Sequence, residues 1–223
     1  MNEQAKILED DFIAPLCNEA IDILYQDDVI LVINKPSGLL SLSGKNPLNQ
    51  DSVHYRLIQN YPSALLVHRL DFGTSGIMLV ALSKEIVKTL NQQFSNRQVS
   101  KTYEALLHGH VMPSEGVIDY PIAKGAFPRQ KICTSNGKPA QSAFNVLERL
   151  NGYTRVCFKP LTGRTHQLRI HSQEFGHPIL GCDLYANEHS KRMAKRLMLH
   201  ASGLSFDHPV TGQRMLVESP CPF

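Results

Sequence analysis

His68-Arg69-Leu70-Asp71-Phe72-Gly73-Thr74-Ser75-Gly76 sets a base, a cation and a carboxylate within four residues, then turns between two glycines. A continuous apolar run follows, Ile77-Met78-Leu79-Val80-Ala81-Leu82. A short apolar run behind a turn reads as a buried strand. The charged side chains are therefore expected on a tight loop against a rigid scaffold that can aim them. Asp71 taken alone reads as an Asx-turn aspartate holding the loop ahead of Gly73. Asp71-Phe72-Gly73 also spells the metal motif of protein kinases. The chain lacks the accompanying glycine-rich phosphate loop and the catalytic-loop motif with its downstream Asn.

Upstream, Ile21-Asp22-Ile23-Leu24-Tyr25 and Val29-Ile30-Leu31-Val32-Ile33-Asn34 flank Gln26-Asp27-Asp28 and predict a hairpin. Lys35-Pro36-Ser37-Gly38 ends its second strand in a turn. A helix is expected over 51–60, with Asp51 or Ser52 as cap and Pro62 beyond its end. Downstream, Ser83 caps a helix in which Ile86, Val87, Leu90 and Phe94 share a face. Strands are expected at 99–107, 142–150 and 153–158. Residues 109–140, rich in Gly, Pro and polar side chains, read as a long excursion with short strands at most, and such excursions are often functional. Thr165 reads as the N-cap of a helix over 166–175, stopped by Gly176-His177-Pro178. A further helix is expected over 188–197. Two strands over 198–217 join around His208-Pro209-Val210-Thr211-Gly212. Strands and helices not in strict alternation predict an α+β fold with a mixed, largely antiparallel central sheet and flanking helices.

The 223 residues, 42% hydrophobic and 19% charged, suffice for a full core. Residues 1–20 read as a patternless lead-in, and 21–223 as one domain. No apolar run has membrane-spanning length, and the start has no secretory signal pattern. Five scattered cysteines without a C-x-x-C pair read as free thiols in a reducing cytosol. The net charge of +3 does not by itself announce nucleic acid. Clustering is more informative: Lys191-Arg192 and Lys195-Arg196 would form one basic face on a helix, though such a run also reads as a solvated surface.

Lys101 and Tyr103 share a strand face. That is either a core tyrosine with a snorkelling lysine or an aromatic platform for an unstacked RNA base. Within Gly163-Arg164-Thr165-His166-Gln167-Leu168-Arg169-Ile170-His171, Arg169 falls one turn into the expected helix, where it could pair with a carboxylate from elsewhere. The helix start and Arg164 could hold phosphate. His166 and His171 lie five apart and do not share a face as an i,i+4 metal pair would, and His108-x-His110 has no third ligand, so no metal is expected. No Walker or dinucleotide fingerprint is present, so no nucleotide cofactor is expected.

Jointly, these stretches resemble one family in order and spacing. Asn34-Lys35-Pro36-Ser37-Gly38-Leu39, His68 through Gly76, Lys101-Thr102-Tyr103 and Gly163 through Arg169 resemble the motifs of the RluA-type pseudouridine synthases. His177-Pro178-Ile179-Leu180-Gly181-Cys182 and Leu199-His200-Ala201 resemble further blocks of that family. The resemblance runs from about residue 21 to the C terminus. The short chain and the absence of an added RNA-binding domain look closest to the branch acting on both 23S rRNA and tRNA.

The resemblance implies isomerisation of uridine to pseudouridine within RNA, without a cofactor, in the cytoplasm. Asp71 would be the catalytic carboxylate. Tyr103 would lie against the uracil, Leu168 would wall the pocket, and Arg169 would hold Asp71 ionised. Arg69 would occupy the vacated space or grip the flipped nucleotide, with His68 stacking or bonding beside it. Lys124, Arg129, Lys131, Arg164, Lys191, Arg192, Lys195 and Arg196 would contact phosphates, which position RNA without specifying sequence. Lys35 would be structural or near the rim. A monomer is expected, since no heptads or amphipathic tail offer an assembly device. Alternatives are the same chemistry on only rRNA or only tRNA, a catalytically silent RNA-binding or ribosome-assembly module, and a hydrolase of free uridine.

Overall fold

In a computed structural model, which describes residues 12–223, the first hairpin forms as its sequence predicts. Strand β1 (Asp22–Gln26) pairs antiparallel with β2 (Ile30–Lys35). A short helix α1 (Val53–Leu57) and a two-residue strand β3 (Leu65–Leu66) lead into β4 (Ser75–Ala81). Helix α2 (Lys84–Ser95) and β5 (Ser100–His108) follow. The excursion contains β6 (Glu115–Asp119) and a small hairpin of β7 (Ile122–Lys124) and β8 (Gln130–Ile132). Then come β9 (Gln141–Leu150), β10 (Tyr153–Pro160), α3 (Gln167–Glu174), α4 (Glu188–Arg192), β11 (Leu199–Asp207) and β12 (Arg214–Glu218).

The main sheet runs β1-β2-β4-β11-β5-β10-β9-β6, with β12 on β11 and β3 on β4. Every pairing is antiparallel except β4 with β11, which run parallel. This is the expected α+β architecture. The run after Gly76 is buried because β4 has two covered faces. Met78 and Val80 pack with Leu31 and Ile33 on one side, and Ile77 and Leu79 with Ile30 and Val32 on the other. Alternate side chains of a strand point to opposite faces, so an unbroken apolar run is what two buried faces require. Ser83 Oγ caps α2, accepting from Ile86 N, and Ile86 and Leu90 pack on one of these faces. A third cluster, including Ala105, Leu107, Val156, Phe158 and Ile170, lies under α3. Tyr103 packs at its border with the first.

Three expected helices differ in extent. Over 51–60 only Val53–Leu57 is helical, capped by Ser52. Of those residues only Val53 and Leu57 are buried, so one turn covers the apolar surface available. Thr165 is not a cap. Helix α3 starts at Gln167 behind His166, which is left-handed (φ 56°, ψ 17°) and gives no side-chain cap. Gln167 instead fixes the turn that enters the helix: its Oε1 accepts from Arg164 N (3.0 Å) and from the Thr162 hydroxyl (2.8 Å). The helix expected over 188–197 ends at Arg192, because Arg196 must lie against Gly181. There a Cβ would approach Arg196 O to 1.9 Å. Lys191, Arg192, Lys195 and Arg196 therefore share no helical face. Residues 1–11 of the expected lead-in lie outside the described residues. Residues 12–20 are irregular but tethered, with Ala14 N donating to Asn49 Oδ1 and Arg56 Nη1 to Glu19 O. All five cysteines are free. Among the described residues no helix is long and apolar enough to cross a membrane.

The turn ahead of β4 is held from two directions. From below, Lys35, fully buried, donates from Nζ to the carbonyls of Pro36 (2.8 Å), Leu39 (2.7 Å) and Phe72 (3.2 Å). Gly38 N also donates to Phe72 O, and Ser37 Oγ to Gly73 O. From the side, Gly76 (φ 114°) lies against β11, where a Cβ would sit 2.3 Å from Ala201 O. Positive φ and backbone contact both demand glycine there. Gly76→Ala is expected to cost at least about 2 kcal/mol, since strain of this kind alone is worth about 1–3 kcal/mol. Urea unfolding should show a lower midpoint at unchanged slope; an unchanged midpoint would contradict the close seam.

Burial pushes Lys35 from its ordinary 10.5 down to about 7. Between those values the unfolded chain keeps a proton that the folded chain has released, so stability rises with pH in that window. The stability of wild type relative to Lys35→Met is expected to rise from pH 7 to about 10.5, levelling beyond both ends. A difference that stays flat across the window would show that burial does not depress the amine.

Candidate functional site

Over the parallel seam of β4 and β11 opens a groove of about 1790 Å³. Its walls come from the Asp71 turn, Tyr103 on β5, the start of α3, residues 195–197 and the tip of the β7–β8 hairpin. The seam brings chain segments more than a hundred residues apart into register, with Ser75 opposite His200 and Gly76 opposite Ala201.

Asp71 stands in this groove with its side chain 26% exposed. Arg169 Nη1 lies 3.5 Å from Asp71 Oδ2, and His166 Nε2 lies 3.9 Å from Oδ1. The Arg169 guanidinium is only 5% exposed. It also donates through Nη2 to Asp183 Oδ1 and through Nε to Cys182 Sγ (3.4 Å), and it lies 5.4 Å from the centre of the Tyr185 ring. The pairing of Arg169 with a distant carboxylate is as expected. Sequence reasoning misses its second carboxylate, Asp183, together with Tyr185 and the place of His166 beside Asp71. His166 sits within a motif that spacing marks only as a metal candidate, and no local pattern marks Asp183 or Tyr185.

Tyr103 is half-buried, and burial followed by the negative charge of Asp71 pushes its phenol up, so it stays protonated. Lys101, on the same face, is pushed down by burial. Leu168 is buried beside them and also joins the α3 core. Arg69 is exposed, and its guanidinium has no partner among the described residues. Its charged end is open to a ligand.

His68 stands in the groove wall. Its Nε2 accepts from Leu79 N (3.0 Å), and its ring packs on Phe94 at 5.1 Å. Burial, and secondarily Lys101, push it down to about 3, so it is a neutral brace for the strand whose Nδ1–H remains as a donor.

The basic residues divide into two kinds. Lys124, Arg129 and Lys131 are exposed on the small hairpin. Phe127, 81% exposed, and Pro128 stand at its tip against the groove. Arg164 is exposed at the α3 end with Nε on Pro139 O, and Lys195 lines the groove. Lys191 and Arg192 instead pair with Glu188 at 3.9 and 3.6 Å, on α4. Arg196 is turned inward: Nη2 donates to Ser75 Oγ, and the guanidinium lies 5.5 Å from the Phe223 ring centre. It thereby forms part of the groove wall.

The chain matches the family described as RNA pseudouridylate synthase over residues 29–174. It is 47% identical over 204 residues to the dual-specificity RNA pseudouridine synthase RluA of Escherichia coli strain K12, covering 90% of this chain and 93% of that one. With the protein of the same name from Yersinia pestis it shares 48% over 196 residues, 86% of this chain and 95% of that one. Among solved structures it is similar to human RNA Pseudouridylate Synthase Domain Containing 1. The TM-score is 0.79 at 32% identity, over 94% of this chain and 86% of that one. A carboxylate and a guanidinium facing each other across a tyrosine-walled groove, on a sheet shared with such enzymes, have one consistent reading: the chain belongs to the RluA-type RNA pseudouridine synthases and isomerises uridine in RNA.

Proposed function

We propose that Asp71 is the catalytic carboxylate and that residues 21–223 act as one catalytic domain on stem-loops of both 23S rRNA and tRNA, the latter at the anticodon arm. The observation that carries the reading is the pairing of Asp71 with buried Arg169 inside the groove. The target uridine leaves its stack, at a cost of about a few kcal/mol that is least in a loop, and enters beside Tyr103 and Leu168. The N1–C1′ bond breaks. Asp71 drives this step by attacking C1′ or by taking a ribose proton. The uracil turns, C5 bonds to C1′, the C5 proton passes to water while N1 takes one up from water, and the carboxylate is regenerated. Arg169 sets its guanidinium beside Asp71 Oδ2 and so helps to orient the carboxylate. Arg69 takes the vacated place of the base or grips the nucleotide's phosphate.

The groove's volume favours an RNA segment over a free nucleoside, because small-molecule pockets span about 300–1,000 Å³. Action on both RNAs agrees with the dual specificity in the names of the bacterial relatives. Five free thiols suit a reducing cytoplasm.

Asp71→Asn keeps the shape of the side chain and removes its charge. It is expected to lower tritium release from 5-tritiated uridine in transcribed 23S rRNA fragments and tRNA by at least about 10²- to 10⁴-fold, with RNA affinity kept. Release at the wild-type rate would overturn the assignment, and release from only one RNA class would overturn dual action. Replacing Lys124, Arg129 and Lys131 together by alanine is expected to weaken binding alike for all RNAs. The salt slope of log K should flatten by about 1 for each phosphate that is no longer neutralised. The pair Lys191→Ala and Arg192→Ala, already matched by Glu188, should change that slope far less; equal effects would place RNA on the α4 side.

A further inference from the structure

Tyr185 joins the hairpin to the Asp71 site. Its buried hydroxyl accepts from Gln130 N on β8 (2.7 Å) and lies 2.9 Å from His166 Nδ1. Among the described residues that oxygen has no other partner. A phenol has one proton to give. The Gln130 N–H occupies a lone pair, so the O–H is donated to His166 Nδ1. A neutral imidazole that accepts at Nδ1 carries its proton on Nε2, and Nε2 is the atom facing Asp71 Oδ1 at 3.9 Å. Burial, the largest influence on His166, keeps it neutral by pushing it down, against the pull of Asp71. The left-handed backbone of His166 is uncommon for a non-glycine residue, and it is what turns the ring between Tyr185 and Asp71.

We propose that His166 is a positioning residue: Tyr185 fixes its tautomer so that Nε2–H is presented to Asp71 Oδ1 while Arg169 holds Oδ2, and the same hydroxyl ties this setting to the RNA-binding hairpin. The inference rests on Asp71 being the catalytic carboxylate. The separation of 3.9 Å is longer than a hydrogen bond; contacts of this kind are often loose before substrate binds and tighten in the complex. His166 touches neither sugar nor base in this arrangement and acts only through the carboxylate. The tie also gives Gln130 N a fixed partner, which sets where the β8 strand stands beside the groove.

The test uses two routes. Nitrogen-15 NMR of the wild-type protein should show His166 with a pyridine-type Nδ1 and a pyrrole-type Nε2. Tyr185→Phe should show the two tautomers mixed. Kinetically, His166→Asn tolerates the left-handed backbone but cannot reach Asp71. It is expected to lower kcat about 10- to 100-fold, the scale of a small misplacement of a reacting group, with KM for RNA little changed. His166→Gln, whose amide reaches the place of Nε2 and donates there, should restore most of kcat. Tyr185→Phe should lower kcat and also raise KM, because Gln130 N loses its partner. A pyrrole-type Nδ1 in wild type, or a His166→Asn defect lying wholly in KM, would overturn the proposal. Asp71→Asn run beside these separates the two readings. If it stays active, the assignment of Asp71 fails. If it is inactive while His166→Asn keeps full kcat, the role of His166 alone fails.

Discussion

The grip of Lys35 on three backbone carbonyls is the constraint on which the site depends. An ammonium out of water is costly unless its donors are used, and here each of its three hydrogens has a carbonyl, one of them Phe72 O. Ser37 and Gly38 add bonds to Gly73 and Phe72, and Ser41 Oγ takes Leu70 O at 2.7 Å. The loop of residues 70–73 thus has all four of its carbonyls bonded, Asp71 O by Thr74 N, while the Asp71 side chain projects into the groove. A reacting group must be held within a fraction of an ångström. A loop can meet that demand only when its backbone is held as firmly as a strand, and the Asn34–Leu39 turn supplies the fixing bonds.

The charge arrangement on top of that loop is asymmetric. Arg169 serves two carboxylates, and its firmer contact is to Asp183, whose side chain is 65% exposed. Asp71, the more buried of the two, receives the longer contact. A tight bidentate pair would use both oxygens of Asp71 on one guanidinium. Sharing places Asp71 in the field of Arg169 without locking it there. Burying the guanidinium alone would be strongly unfavourable. Asp183 therefore stabilises Arg169 in place and leaves Asp71 room to meet substrate.

What can be read from the chain follows from local chemistry. The β1–β2 hairpin, β4 and the apolar face of α2 are encoded in periods of two and 3.6, which tertiary contacts do not override. Thr165 misleads because its cap chemistry loses to a tertiary demand: His166 turns left-handed to reach Tyr185, and Gln167 fastens the entering turn from the first position of the helix. Likewise the basic residues near 191–196 read as one helical face, yet Gly181 admits the backbone of Arg196 and draws the chain away after one turn. Asp71, Tyr103, Leu168 and Arg169 are legible because each sits in a dense motif. Asp183 and Tyr185 are not, since their importance lies in which guanidinium and imidazole they meet across the fold.

The placement of charge also resolves an electrostatic conflict. RNA is a polyanion, and a carboxylate facing it opposes binding. Here the carboxylate sits at the floor of the seam, braced by Arg169 and His166, while Arg69, Lys124, Arg129, Lys131 and Arg164 stand exposed around it. A flipped nucleotide sends its base inward and keeps its phosphates outside. The neutral uracil would then meet the anion and the phosphates the cations. The fold achieves this separation because its one parallel joint, β4 beside β11, seats the Asp71 turn against residues 196–201, whereas the cationic hairpin belongs to a separate two-stranded sheet. On the proposed assignment affinity and chemistry would rest on different segments, and the Tyr185 hydroxyl, bonded to Gln130 on one side and His166 on the other, joins them.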